Sequence, residues 1–292
     1  MFYEGIDTNF QLVQEDWLVG TTLDFGTDAH PAFLDYNADG LIDLVVGSFG
    51  LIGLESGAET RLYLFENTGS KDEAKYELID DDWLGFLQFS SFDKSYVPSF
   101  GDIDGDGDKD MVLGSLSGEV IYSENIAGPD MPVEFEFPVF DYEMLDTENN
   151  TIRTAIADVD NDGKKDIVIG GRNSYSLTES IGSLKFFSNI GTQGNAQFSN
   201  ASSTLGLGGV NVKDGGVSKV SAAPKFYMNG TTPLLFIGNE TGRIALYEVN
   251  YEGAPYELLD EDILGQYLGR RIAIDVADID NDGFLEIVVG NE

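Results

Sequence analysis

Apolar and polar positions along this chain fall into short blocks and never into a sustained helical stripe. Runs of three apolar residues close on Gly at 44–47 (LVVG), 111–114 (MVLG), 167–170 (IVIG) and 287–290 (IVVG). A second phrase follows each run: RLYLFENTG at 61–69, GEVIYSENIAG at 118–128, SLKFFSNIG at 183–191 and GRIALYEVN at 242–250. It alternates apolar and polar residues and then meets Asn or Gly, as a half-buried strand entering a turn does. A third phrase recurs as FQLVQEDWLVG at 10–20, YELIDDDWLG at 76–85 and YELLDEDILG at 256–265. One unit therefore reads as four short strands, and helix content is expected to be low.

The units repeat in tandem. Their centres are 35–47, 102–114, 158–170 and 278–290, with a degenerate copy at 226–238. The degenerate copy is located by APKF at 223–226, which echoes HPAF at 30–33 and VPSF at 97–100. Four-stranded tandem units predict an all-β fold, a β-propeller of about five blades forming one domain over 1–292. A β-solenoid is the rival, although its repeats are generally much shorter. The chain opens on Phe2-Tyr3-Glu4, which matches the third strand of a unit as in Leu246-Tyr247-Glu248, and closes after a second strand. The two ends could complete one blade and close a five-bladed ring; the alternative is a portion of a longer, seven-bladed or open array.

Composition narrows the partners. The formal net charge of −36 opposes nucleic acid and anionic membranes and favours divalent cations or a basic partner. No cysteine is present, which removes disulfides, thiolate metal sites and Cys nucleophiles. No apolar run is long enough to insert in a membrane as a helix. The N-terminal residues MFYEGIDTNF have neither the basic nor the apolar region of a signal peptide.

The acids are concentrated just before the apolar runs, in DYNADGLIDLVVG, DIDGDGDKDMVLG, DVDNDGKKDIVIG and DIDNDGFLEIVVG. Each reads D-x-[DN]-x-D-G-x-x-[DE]. Alternate acidic positions place oxygens on the inside of a wrapped loop, the Gly at position six takes the sharp turn, and position seven offers its carbonyl. This is the start of an EF-hand loop without its twelfth-position Glu, set between strands. The candidate ligands are Asp35, Asn37, Asp39, the Leu41 carbonyl and Asp43 in the first loop. The second offers Asp102, Asp104, Asp106, the Asp108 carbonyl and Asp110. The third offers Asp158, Asp160, Asp162, the Lys164 carbonyl and Asp166. The fourth offers Asp278, Asp280, Asp282, the Phe284 carbonyl and Glu286, whose extra methylene could distort its site. The expected cofactor is Ca²⁺, about four structural ions, with Mg²⁺ a poorer fit to so flexible an oxygen shell. Against this stands the plain reading of solvated Asp/Asn/Gly turns.

The motif followed by its apolar run and Gly resembles the FG-GAP or VCBS repeats of integrin α-subunit propellers and bacterial surface proteins. The resemblance implies calcium in the blade loops, an extracellular or cell-surface setting, and a role in binding or adhesion to a protein or polysaccharide. Two departures stand out: integrin-type propellers have seven blades against five units here, and the fourth unit has lost its acids. In such folds the partner is expected on the face opposite the calcium loops. There lie the insertions at 48–60 and 171–182, the segment 86–96 and the Gly-rich 204–219. An aromatic platform of Phe86, Phe89, Phe92, Tyr96 and Tyr175 competes with simple packing between blades, and Trp17 and Trp83 read as packing residues.

No catalytic residues are expected. His30 is the only histidine and holds the place of Val97 and Ala223 in sister repeats, and no nucleophile elbow, P-loop or dinucleotide fingerprint appears. The remaining alternatives are an inert scaffold within a longer surface protein and a polysaccharide-degrading propeller. Asn149, Asn200, Asn229 and Asn239 begin glycosylation sequons.

Overall fold

The computed structural model describes residues 1–6, 9–14, 27–49, 59–89, 95–145, 147, 151–172, 184–210, 221–251 and 255–291. They form five antiparallel sheets and no α-helix among the described residues. The first blade is β3 (Thr27–Leu34), β4 (Asp43–Phe49), β5 (Thr60–Asn67) and β6 (Tyr76–Asp80). The second is β7 (Val97–Gly101), β8 (Asp110–Gly114) and β9 (Val120–Ser123), with a fourth segment bridged at Tyr122–Val139 and Asn125–Phe135. The third is β10 (Thr151–Ala157), β11 (Asp166–Arg172), β12 (Lys185–Phe187) and β13 (Ser203–Leu205). The fourth, built on the degenerate repeat, is β14 (Ala223–Asn229), β15 (Thr232–Gly238), β16 (Ile244–Glu248) and β17 (Glu257–Asp260).

The fifth blade joins the two ends of the chain. β18 (Ala273–Ala277) and β19 (Glu286–Gly290) pair with β1 (Phe2–Ile6) and β2 (Asn9–Gln14) in the order β18-β19-β1-β2. The N-terminal ammonium donates to the Val289 carbonyl at 2.9 Å, and Val289 N–H donates back to Met1 O at 2.9 Å. The first strands touch in a circle, β3 to β7 to β10 to β14 to β18 and back to β3. The architecture is a five-bladed β-propeller.

The apolar run of each second strand is explained by this circle. Val45 packs toward the second blade while Leu44 and Val46 pack toward the fifth. Val168 likewise joins the core shared with the fourth blade, and Ile167 and Ile169 the core shared with the second. A strand between two blades is buried on both faces, so alternation disappears and a continuous apolar run replaces it. Five cores result, one at each blade interface.

The Gly closing each run marks the tightest inter-blade approach. A Cβ on Gly47 would lie 1.9 Å from the Tyr96 carbonyl oxygen, on Gly114 2.6 Å from Ile152 O, and on Gly170 2.3 Å from Ala222 O. On Gly290 it would lie 2.0 Å from Ala29 O, across the junction between the last blade and the first. The Pro of the P-x-F phrase sits on this Gly: Pro98 against Gly47, Pro224 against Gly170 and Pro31 against Gly290.

His30 and Arg153 occupy equivalent places on β3 and β10, both buried. The Arg153 guanidinium donates to the carbonyls of Arg271 and Ile272, reaching from the third blade to the fifth. Trp83 is buried against Phe100 and Phe135, as its repeat phrase suggests; Trp17 lies outside the described residues. Of the aromatic platform, Phe86 and Tyr96 are buried and packed together, so they are core and not surface. Phe89 packs on Phe86, Phe137 and Phe140, and Phe92 and Tyr175 lie outside the described residues.

Candidate metal centre

The four acidic loops connect the first and second strands of blades one, two, three and five, on one face of the propeller. All four carry the same ladder of side-chain to backbone hydrogen bonds. The position-three side chain accepts the N–H of position five: Asn37 from Asp39 (3.0 Å), Asp104 from Asp106 (3.0 Å), Asp160 from Asp162 (3.2 Å) and Asp280 from Asp282 (3.1 Å). The position-five carboxylate accepts the N–H of position seven: Asp39 from Leu41 (2.8 Å), Asp106 from Asp108 (3.1 Å), Asp162 from Lys164 (2.9 Å) and Asp282 from Phe284 (2.7 Å). Successive Asx turns thus wind each loop and fix one oxygen of each side chain.

Two positions per loop, not one, are left-handed. Position six is Gly throughout, as expected. Position four also has positive φ, at Ala38 (58°), Gly105 (80°), Asn161 (59°) and Asn281 (58°). Asn, Gly and Asn tolerate this conformation, and Ala38 carries strain of about 1–2 kcal/mol. The Gly or Asn at position four in three loops was the sequence signal for this second turn.

The winding brings carboxylates together. One oxygen each from Asp102, Asp104 and Asp106, from Asp158, Asp160 and Asp166, and from Asp278, Asp280 and Asp282 lies within 4.8 Å of the others. Three hard, anionic oxygens at such spacing, beside a backbone turn that supplies carbonyls, fit an oxygen-seeking divalent cation. In the first loop Asn37 replaces one acid, and its amide donates to Asp39 Oδ2 at 3.1 Å. In the third, the Lys164 ammonium lies 3.0 Å from Asp162 Oδ2, so a built-in cation competes for one ligand. The Asp108 side chain turns away from its loop and accepts the Gly128 N–H at 2.8 Å, leaving its carbonyl as the candidate donor.

The position-nine carboxylate has a second task. It is buried in every loop, at Asp43, Asp110, Asp166 and Glu286. One oxygen accepts the N–H of loop position two: Asp43 from Tyr36 (3.1 Å), Asp110 from Ile103 (3.0 Å), Asp166 from Val159 (3.0 Å) and Glu286 from Ile279 (2.7 Å). In the first three blades the other oxygen accepts the N–H of an Asn at or just past the end of the third strand: Asn67 (2.8 Å), Asn125 (3.0 Å) and Asn189 (2.9 Å). Each Asn then accepts two N–H groups of the following hairpin, Asn67 from Gly69 and Lys75, Asn125 from Ala127 and Glu134, and Asn189 from Gly191 and Gln197. The acid therefore brackets loop, second strand and third-strand hairpin in one network. Each carboxylate oxygen keeps a further lone pair for a cation.

Burial holds these acids toward the neutral form. Asp43 and Asp110 are pushed up to about 7, Asp166 to about 6 and Glu286 to about 8, with the neighbouring loop carboxylates adding to the effect and the backbone donors opposing it. Asp162 departs the other way: burial would raise it, but Lys164 outweighs burial and holds it low.

The degenerate repeat lacks the bracket as a unit. Leu234 stands where the acid would be and Val249 where the Asn would be, and Val249 N–H donates instead to Pro233 O at 2.9 Å. Replacing both partners by apolar groups leaves no orphaned charge, whereas losing one would. The fifth blade is intermediate. Glu286 is retained, the Asn position is Gly5, and Glu286 Oε1 is buried without a partner.

Residues 35–113 match the family model of the FG-GAP-like repeat. Over these residues the repeat is FG-GAP-like. Over 146 residues the chain is 32% identical to integrin alpha-4 of Xenopus laevis, a match covering 47% of this chain. The chain spans 13% of the length of that relative. The FG-GAP-like match covers the first acidic loop, its bracket and the second loop, so the motif and the geometry coincide there.

Other sequence candidates fare differently. Asn239 is buried and its Oδ1 accepts from Thr241 and Arg243 N–H, which excludes it as a glycan acceptor in the folded chain. Asn200 is exposed. Asn149 and most of 48–60, 171–182 and 211–219 lie outside the described residues, and the Asn229 side chain is not described.

Proposed function

We propose that this chain is a calcium-stabilised extracellular β-propeller that acts as a binding or adhesion module for a protein or polysaccharide, engaged on the face opposite the acidic loops. The observation that carries the calcium reading is that three of the loops each bring three carboxylates within 4.8 Å of one another. Solvated turns have no need to converge charges that repel one another. Calcium bound by flexible oxygen loops in extracellular modules typically has Kd of about 10⁻⁴–10⁻³ M, so such sites fill outside a cell and stay largely empty in cytosol. Likeness to integrin-type repeats supports the surface setting and the recognition role.

We assign no catalysis to the chain. His30 is buried, with Nδ1 unpartnered, and burial first and the Arg153 charge second hold it well below the usual histidine range. It is placed to fill space and not to shuttle protons.

The test is thermal unfolding in EDTA and across a calcium titration, with bound ions counted by calorimetry. Binding to the folded state raises the melting temperature as RT ln(1 + [L]/Kd) per site. Binding of about four ions with a marked rise in melting temperature supports the proposal. No binding and no shift would leave the loops as acidic turns and sink it.

A further inference from the structure

The face opposite the acidic loops carries a small, built pocket at the junction of blades four and five. Its first wall is the hairpin between β15 and β16, with Thr241 and Arg243. Its second is the segment from β17 to β18, with Asp262, Gly265, Gln266 and Tyr267. Gly242 holds the walls together. It has φ of +84°, and a Cβ there would lie 2.2 Å from Gly269 O and 3.2 Å from the Tyr267 ring. Leu268 N–H donates to Gly242 O at 3.3 Å across the junction.

The cavity is about 270 Å³. That lies just below the range of roughly 300–1,000 Å³ that holds drug-sized ligands, which suits a single ring and not a peptide segment. Its lining combines one aromatic ring with planar hydrogen-bonding groups. Tyr267 is 71% exposed, so its ring is open to a partner in the pocket. Arg243 Nε and Asp262 Oδ2 are 3.8 Å apart, too far for a hydrogen bond, so these two atoms are not spent on each other. Gln266 donates its amide N–H to the buried Tyr3 hydroxyl, which fixes the side chain and leaves its carbonyl oxygen as an acceptor.

We propose that this pocket binds a neutral pyranose unit of a glycan. Each sugar hydroxyl both donates and accepts, and Arg, Asp and Gln in one pocket supply both complements. The C–H face of the ring carries slight positive charge and matches the negative face of Tyr267. Arg243 faces Asp262 and Arg271 faces Glu240 at 3.4 Å, so neither of these arginines is an uncompensated cation that would select for a carboxylate-bearing sugar. The inference rests on the recognition-module reading, from which it selects the glycan, and it does not depend on metal in the loops.

The test is saturation-transfer NMR on the calcium-supplemented chain with the methyl glycosides of glucose, galactose and mannose, and with glucuronate. Saturation transfer to at least one neutral glycoside, weakened about tenfold in affinity by Tyr267→Ala and by Arg243→Gln with unchanged melting temperature, supports the proposal. Transfer to glucuronate alone overturns the neutral-sugar assignment. Transfer that survives both substitutions overturns the location. No transfer to any of the four sugars, from a sample that melts cooperatively, overturns the pocket as a glycan site while leaving the module open to a protein partner. Both substituted side chains are more than half exposed, Tyr267 as a residue and Arg243 in its side chain, so folding is not at stake.

Discussion

Asn67 donates its backbone N–H to Asp43 Oδ1 at 2.8 Å across 24 residues, and this one bond ties an acidic loop to the hairpin at the far side of its blade. The same pairing recurs at Asn125–Asp110 and Asn189–Asp166. An acid at loop position nine is thus part of the blade whether or not a cation is present.

Removing the Asn side chain leaves the hairpin donors without an acceptor. In Asn189→Ala, the Gly191 and Gln197 N–H groups and the Ile103 carbonyl of the neighbouring blade all lose a partner. The expected cost is about 1–3 kcal/mol, read from urea unfolding at saturating calcium. An unchanged midpoint would show that the network is incidental.

Acidity should act in opposite directions on the metal-free and metal-bound chain. The raised acids Asp43, Asp110, Asp166 and Glu286 bind protons more tightly folded than unfolded. In EDTA, stability is therefore greatest below the unfolded carboxylate range and falls as pH rises through about 6 to 8. Calcium needs the ionised forms, so its affinity weakens as pH drops through the same window. Melting curves across this range, with and without calcium, check both signs.

Lys164 is expected to weaken the third site. Its ammonium is 3.0 Å from Asp162 Oδ2, while the proposed ligand at this position is the backbone carbonyl. Lys164→Met removes the competitor and keeps the carbonyl, so calorimetry should resolve one site tightened by about tenfold. A uniform or weakened response would argue against cation binding in that loop.

Two glycines of the third blade separate space from conformation. Gly170→Ala drives a Cβ to 2.3 Å of Ala222 O and should cost about 3 kcal/mol or more. Gly163→Ala meets nothing within 4 Å but must hold φ near +88°, a cost of about 1–2 kcal/mol. Denaturant midpoints that reverse this order would contradict the inter-blade contact.

Much of this was legible because the repeat prints each blade in the same register. D-x-[DN]-x-D-G marks the loop, LVVG the strand between two neighbours, and the P-x-F phrase the next inner strand. The sister residues of His30 in the P-x-F phrase, Val97 and Ala223, marked it as a framework position. The role of Asn67 was hidden, since an Asn before Thr-Gly reads as turn chemistry and its partner lies far away in sequence. For Phe86 and Tyr96 the sequence offered both a platform and packing between blades, and the contact of blades one and two decides for packing.

The sequence by itself determined the unit, its strands and the oxygen-rich loops, because local periodicity, turn residues and ligand spacing are properties of a short stretch of chain. Closure of the ring, the double task of the position-nine acids and the pocket beside Tyr267 were decided by tertiary structure. Each depends on surfaces meeting from distant residues, Met1 with Val289, Asp43 with Asn67 and Gly242 with Gly269. No local pattern encodes which distant surface will arrive.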